Sequence, residues 1–410
     1  MRKILFLALA AAAPSGLSPL CAETLSLSTS PALMQPAEKS NAAGFRFIAG
    51  AAEPNGNVLF SPYGLYSAFS MAYDCARGNT APEIRNVLGF PEDLNSLRLE
   101  AVLLRRGLIK AVKGSDFRRV NTYWYQKGYE FLPEYEAVLK SSYSASGETA
   151  DFRNSPERAR AAINDWTGKK TEGRVTGVFE QGTITLFTRL MLANAVTFKG
   201  KWASGFGKDL TSEEDFSLAG GEKVKAQLMS AEKPVKIEYY EDEEYRAAGL
   251  DYLGGGLRML VLLPAEGKSA ADLFKTLTPE KLAGLRKAMS ARIEPVLVTL
   301  PRFKVSGTWD LAARLSALGM PGAFKENADY SGMTGRKGLY LQQAVQKVLI
   351  EVDEEGAEPP VLSAKAARKR KREKAPLVFK ADRPFIYLIE EKSTGLILFI
   401  GRMEDPSLAV

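Results

Sequence analysis

Residues 351–389 read EVDEEGAEPPVLSAKAARKRKREKAPLVFKADRPFIYLI, and their order decides how the chain is read. An acidic strand end, Glu351 to Glu355, is closed by Gly356. Residues 365–374 follow with seven Lys or Arg and a single Glu. Phe379-Lys380-Ala381-Asp382-Arg383-Pro384-Phe385 then leads into an apolar strand. On charge pattern alone the basic run is an exposed, solvated segment that any trypsin-like protease would cut without consequence.

The basic character of the chain is confined to that run. Net charge is +7; Arg2 and Lys3 supply +2 of it and residues 365–374 supply +6, so the remainder is about −1. A broad nucleic-acid-binding face is a poor explanation of such a distribution. A basic loop held to nucleic acid or anionic membrane predicts salt-sensitive binding lost on deleting 365–374, and it sits badly with an export signal. The chain contains no histidine. That removes Ser-His-Asp and Cys-His nucleophilic machinery and His-based zinc sites. No motif points to a carboxylate pair or a Ser-Lys dyad, so the chain reads as a non-enzyme with neither cofactor nor metal.

Arg2 and Lys3, the apolar run from Ile4 to Ala13 and small residues up to Cys21-Ala22 read as a signal peptide over 1–22. Cys21 as a lipid-attachment site is the lesser reading, because bulky Leu20 stands where such signals want a small residue. No later stretch reaches the ~18 uninterrupted apolar residues of a membrane helix. The mature chain is expected to be exported, to a periplasm or the exterior, with Cys75 alone and no internal disulfide. Residues 23–37 read as a mobile leader, and 38–406 as one domain without linker or repeat.

A helix is expected from about Pro36 to Ala51, a strand at 57–60, and then a helix opened by Ser61-Pro62, where proline's missing N–H has no helical partner. Leu94, Leu97, Leu104, Leu108 and Val112 lie at helical spacing and predict a helix over 92–113. Further helices are expected at 154–170, 270–289 and 308–318. Strands are expected at 118–129, 190–198, 235–263, 292–305 and 338–354, with a hairpin at 377–403. They alternate without a regular βαβ pattern, which argues α+β.

Five segments resemble the serpin family in family order. They are NVLFSPYGLYSAF (57–69), INDWTGKKTEGRV (163–175), LANAVTFKGKW (192–202), LPRFKVSGTWDL (300–311), and the 379–385 motif with Gly401-Arg402 behind it. The resemblance covers roughly 38–406. It implies three β-sheets, eight or nine helices and an exposed reactive-centre loop over about 355–378. It also implies a monomeric inhibitor rather than an enzyme. A serine protease cleaves the loop, and the freed upstream half inserts into the central sheet, carrying the acylated protease with it.

By resemblance Gly356 is the hinge glycine and Glu354 opens the loop. Sixteen residues beyond Glu354 lies the bond Arg370-Lys371, although the five basic residues Arg368 to Arg372 offer five registers. A basic residue before the cut suits trypsin-like or subtilisin/kexin-like proteases, whose pocket carboxylate pairs with Arg or Lys. Insertion asks for small or apolar residues at alternate positions; Ala357, Val361, Ser363 and Ala367 suit this, and Lys365 fits less well. Pro359 and Pro360 oppose it, since proline gives no ladder hydrogen bond. The alternative is therefore a non-inhibitory binding or carrier serpin whose hinge blocks insertion.

Ser61, Asn194 and Gln346 match the polar cluster beneath the family's central sheet, with Gln346 where many members place histidine. Gly64 replaces a common serine, so that cluster is expected to be thinner than usual. Trp202 and an Arg302–Glu354 ion pair match the point where insertion begins. Arg98, Arg105, Arg106, Lys110, Lys113, Arg118 and Arg119 read as a solvated helix face in preference to a polyanion site.

Overall fold

The apolar run at 190–200 becomes an inner strand because both of its faces are covered. In a computed structural model, which describes residues 31–49, 56–356 and 375–408, the chain runs α1 (Pro31–Ile48), β1 (Val58–Phe60), α2 (Pro62–Cys75), α3 (Thr80–Leu88), α4 (Leu94–Ala111), β2 (Ser115–Gln126), α5 (Pro133–Val138), β3 (Ser146–Ala150), α6 (Pro156–Lys170) and β4 (Leu190–Gly200). It continues through β5 (Ser212–Ser217), β6 (Lys223–Ser230), β7 (Val235–Glu241), β8 (Tyr245–Asp251), β9 (Leu257–Pro264), α7 (Ala270–Thr276), α8 (Pro279–Ser290), β10 (Ile293–Pro301) and β11 (Phe303–Asp310). Then come α9 (Leu311–Ala317), α10 (Ser331–Thr334), β12 (Leu341–Val352), β13 (Leu377–Lys380), β14 (Phe385–Glu391) and β15 (Ile397–Met403).

Five strands form one sheet in the order β11-β12-β4-β2-β3. Its even-numbered β4 residues Leu192, Val196 and Phe198 join the main core, while Met191, Ala193 and Ala195 form a second core under α6 with Trp124, Ile163 and Val178. The other ten strands, expected as a second and a third sheet, form a single hydrogen-bonded sheet, so the described residues contain two sheets where three were expected. β10 holds this sheet together: its first residues, Ile293 to Val296, pair with β7, while Thr299 to Pro301 pair with β6 and Val296 to Thr299 with β13.

Helix α2 explains how the halves hold together. All but one of its 14 residues are buried, and it contacts both β15 and β4. Ser61 caps it, accepting from the Gly64 N–H, with Pro62 in the first turn.

Two further expectations shift. The described residues contain ten α-helices, above the expected eight or nine, because the 270–289 region breaks at Leu277-Thr278 and short helices such as α10 carry no periodic signal. The helix expected from Pro36 begins at Pro31, so residues 31–37 are helical instead of mobile leader. Leu33 is buried there, beside Leu104 and Leu108 of α4, and that burial offsets the helical bond lost at Pro36.

Candidate functional site

β4 and β12 are direct parallel neighbours, in continuous register from Met191 and Gln343 to Lys199 and Glu351, after an irregularity between Leu341 and Gln343. The central sheet is therefore closed: each strand's backbone groups along this seam are spent on the other. Any further strand between them must first part these two.

Beneath the seam, three lone amides align across three strands. Asn121 of β2 pairs in register with Asn194 of β4, and Asn194 with Gln346 of β12. All are buried. Gln346 Nε2 donates to Asn194 Oδ1 (2.9 Å) and to the Ser61 carbonyl (3.1 Å), while Gln346 Oε1 accepts from the Ser61 N–H (3.0 Å). Ser61 Oγ donates to the Leu398 carbonyl at 2.6 Å, and the Asn194 and Asn121 amides meet at 2.6 Å. Ser61, Asn194 and Gln346 thus lie together. The cluster is not thinned at Gly64, however. A Cβ there would stand 2.6 Å from Gln346 Nε2 and 2.8 Å from Asn194 Oδ1. The long Gln346 side chain fills the space that a residue larger than glycine would claim.

At the upper end of the seam, the chain leaving β12 stays attached to the sheet. Trp202 N donates to the Glu355 carbonyl (2.8 Å), and its indole Nε1 donates to the Asp353 carbonyl (2.7 Å). Its ring is buried and stacks on Tyr252 at 4.5 Å and 11°. Trp202 also bridges Gly356. Gly356 has to be glycine on space alone, because a Cβ would lie 2.2 Å from Gly205 Cα. Arg302 and Glu354 do pair, at 3.6 Å, but Arg302 is half exposed and the pair is screened by solvent. The tighter tie on the nearly buried Glu354 is the Thr211 hydroxyl, which donates to its carboxylate at 2.8 Å.

The remaining expected site residues, Ala357, Pro359, Pro360 and the candidate bond Arg370-Lys371 within Arg368 to Arg372, lie outside the described residues. The basic helix is partly spoken for. Arg98 forks onto buried Asp74 (2.8 Å each), Arg105 and Arg119 donate to the Ser141 and Tyr143 carbonyls, and Arg118 pairs with Asp116 and Glu172. Arg106, Lys110 and Lys113 line a 430 Å³ cavity beside α1. Among the described residues no helix is long and apolar enough to cross a membrane, and no group of three or more His, Cys, Asp or Glu could hold a metal.

Sequence reasoning missed Asn121, Thr211, Gly205 and Tyr252. Asn121 had a usable signal, a lone amide between Val120 and a run of aromatics in a strand. Thr211 and Gly205 had none, since their roles depend on what folds against them.

Comparison with known proteins agrees with this geometry. The family model described as Serpin (serine protease inhibitor) matches residues 38–406. Among similar sequences, the leukocyte elastase inhibitor of Bos taurus is 35% identical over 361 residues, covering 86% of this chain and 94% of that protein. An uncharacterized serpin-like protein of Thermococcus kodakarensis is 35% identical over 356 residues, covering 86% and 81%. Among solved structures, Arabidopsis AtSerpin1 in its native stressed conformation superposes with a TM-score of 0.81 at 28% identity, covering 92% of this chain and 99% of that one. Uncleaved ovalbumin gives 0.80 at 26%, covering 90% and 100%.

Proposed function

The chain belongs to the serpin family, and from that premise we propose that it is an exported, monomeric inhibitor of serine proteases that cleave after Arg or Lys. It acts by suicide-substrate cleavage of the loop after Gly356 and insertion of the cut strand between β4 and β12. One observation carries the reading: the β4–β12 seam is closed, and the first loop residues, Glu355 and Gly356, are already seated on Trp202 at its upper end. A strand entering from that end has its starting point in place.

Specificity rests on the run Arg368 to Arg372. The leukocyte relative is named for an elastase, whereas a basic residue before the cut suits the acidic pocket of trypsin-like or subtilisin/kexin-like proteases. The reactive bond is assigned to Arg370-Lys371, with the neighbouring bonds as alternatives. Export rests on residues 1–22 alone, and the relatives lend it no support.

Pro359-Pro360 favours a second reading, a serpin whose loop is cut without trapping its protease and whose role is binding or carriage. Mixing the mature protein with trypsin separates the two. A complex that survives denaturation at the summed mass, with the protein's cleavage mapped to 368–372, is the expected result. Clean cleavage at those bonds with trypsin left fully active would sink the inhibitor reading in favour of the second.

A further inference from the structure

Four charges of alternating sign lie side by side across the central sheet. In register they are Asp116 of β2, Lys199 of β4, Glu351 of β12 and Lys304 of β11. Lys199 Nζ reaches Glu351 Oε1 at 2.6 Å and Asp353 Oδ2 at 2.7 Å. Arg174, on the chain after α6, joins the same row: it pairs with Asp116 at 2.5 Å and stands 4.0 Å from Glu351. These groups sit on the face that α6 covers; Asp116, Arg174, Lys199 and Glu351 are about a quarter to a third exposed and Asp353 16%. Partial burial pulls the Lys199 ammonium down, and the hydrogen bonds and charges of Asp353 and Glu351 more than reverse it, leaving its pKa above the ordinary lysine value.

We propose that Lys199, with Glu351 and Asp353, forms an ionic clasp that sets how readily the β4–β12 seam opens, and so acts as a positioning element for loop insertion. Its functional meaning rests on the insertion reading above. The physical case is one of distance. Neighbouring strands lie about 4.8 Å apart, so one inserted strand moves β4 and β12 to about 9.6 Å. At that spacing, with another strand's side chains between them, Lys199 and Glu351 lose their direct 2.6 Å contact or hold it only with both side chains extended, and salt at about 0.15 M screens what remains over about 8 Å. Of the charged contacts in this row, the Lys199 pairs are the short ones that span the seam itself, and the longer Arg174–Glu351 contact at 4.0 Å crosses it too. The Asp116–Arg118 and Arg118–Glu172 pairs remain on one side of it.

The test is hydrogen exchange on the uncleaved protein, which does not depend on inhibition. Lys199→Met is expected to raise exchange several-fold at amides 192–199 and 344–351, leaving β14 and β15 unchanged. Wild type in about 1 M salt, where screening acts over about 3 Å, is expected to move the same amides, whereas Lys199→Arg restores protection. Equal loosening of β14 and β15, or no response to salt along the seam, would overturn the clasp. If the clasp holds but the cleaved wild type gains no stability, it is the insertion reading that fails, and the two failures are told apart.

Discussion

Replacing Gln346 with leucine is expected to destabilise the uncleaved protein by about 2–6 kcal/mol. Leucine is of similar size, so the effect is polar and leaves little cavity. Two groups lose their partner: the Ser61 N–H, bonded to Gln346 Oε1, and Asn194 Oδ1, which accepts from Gln346 Nε2. Both are fully buried, and an orphaned buried group costs about 1–3 kcal/mol. The Ser61 carbonyl is spared because the Leu65 N–H also donates to it. The lost Gln346–Asn194 bond is the only side-chain link in this cluster that joins β12 to β4, so the seam should loosen with it. Thermal melting of wild type and variant checks this, and a shift within error of zero would remove the cluster from the account.

The second large effect lies in the hinge. The double variant Pro359→Ala/Pro360→Ala is expected to lower the number of inhibitor molecules consumed per protease trapped. In an inserted strand, consecutive N–H groups face opposite neighbours, here β4 and β12. Each proline therefore leaves one carbonyl of the opened seam without a donor. If insertion recovers even ~1.4 kcal/mol in its transition state, it runs about tenfold faster against a deacylation step that does not change. Titrating a fixed amount of trypsin with each protein reads out the ratio directly. An unchanged ratio would mean that the prolines do not limit insertion.

Much of this site was legible because its parts are locally encoded. Ser61-Pro62 announces a helix start, and the structure has α2 begin there. The acidic strand end, Gly356 and the 379–385 motif frame the loop by order alone, and the run at 190–198 is too apolar to lie anywhere but inside. What escaped detection depends on tertiary partners. β3, reading Ser146-Gly-Glu-Thr-Ala150, has no apolar alternation, and its Gly147 is required because Phe131 lies 2.8 Å from where a Cβ would stand. β5 buries Phe216 alone, as an edge strand can. Gly64 misled for the same reason: its missing side chain looked like a gap until Gln346 was seen to occupy the space. The row Asp116-Lys199-Glu351-Lys304 is invisible in sequence, because register across four strands is not a local property.

The central claim is that the five-stranded sheet stands ready to accept a sixth strand. It is tested most directly by melting the protein before and after a single cut within 368–372. About ten backbone hydrogen bonds at about 0.5–1.5 kcal/mol each would contribute about 5–15 kcal/mol, as much as the whole stability of an ordinary domain. The cleaved protein is expected to melt far above the uncleaved one. A cleaved protein that melts at the same temperature or lower would contradict that claim.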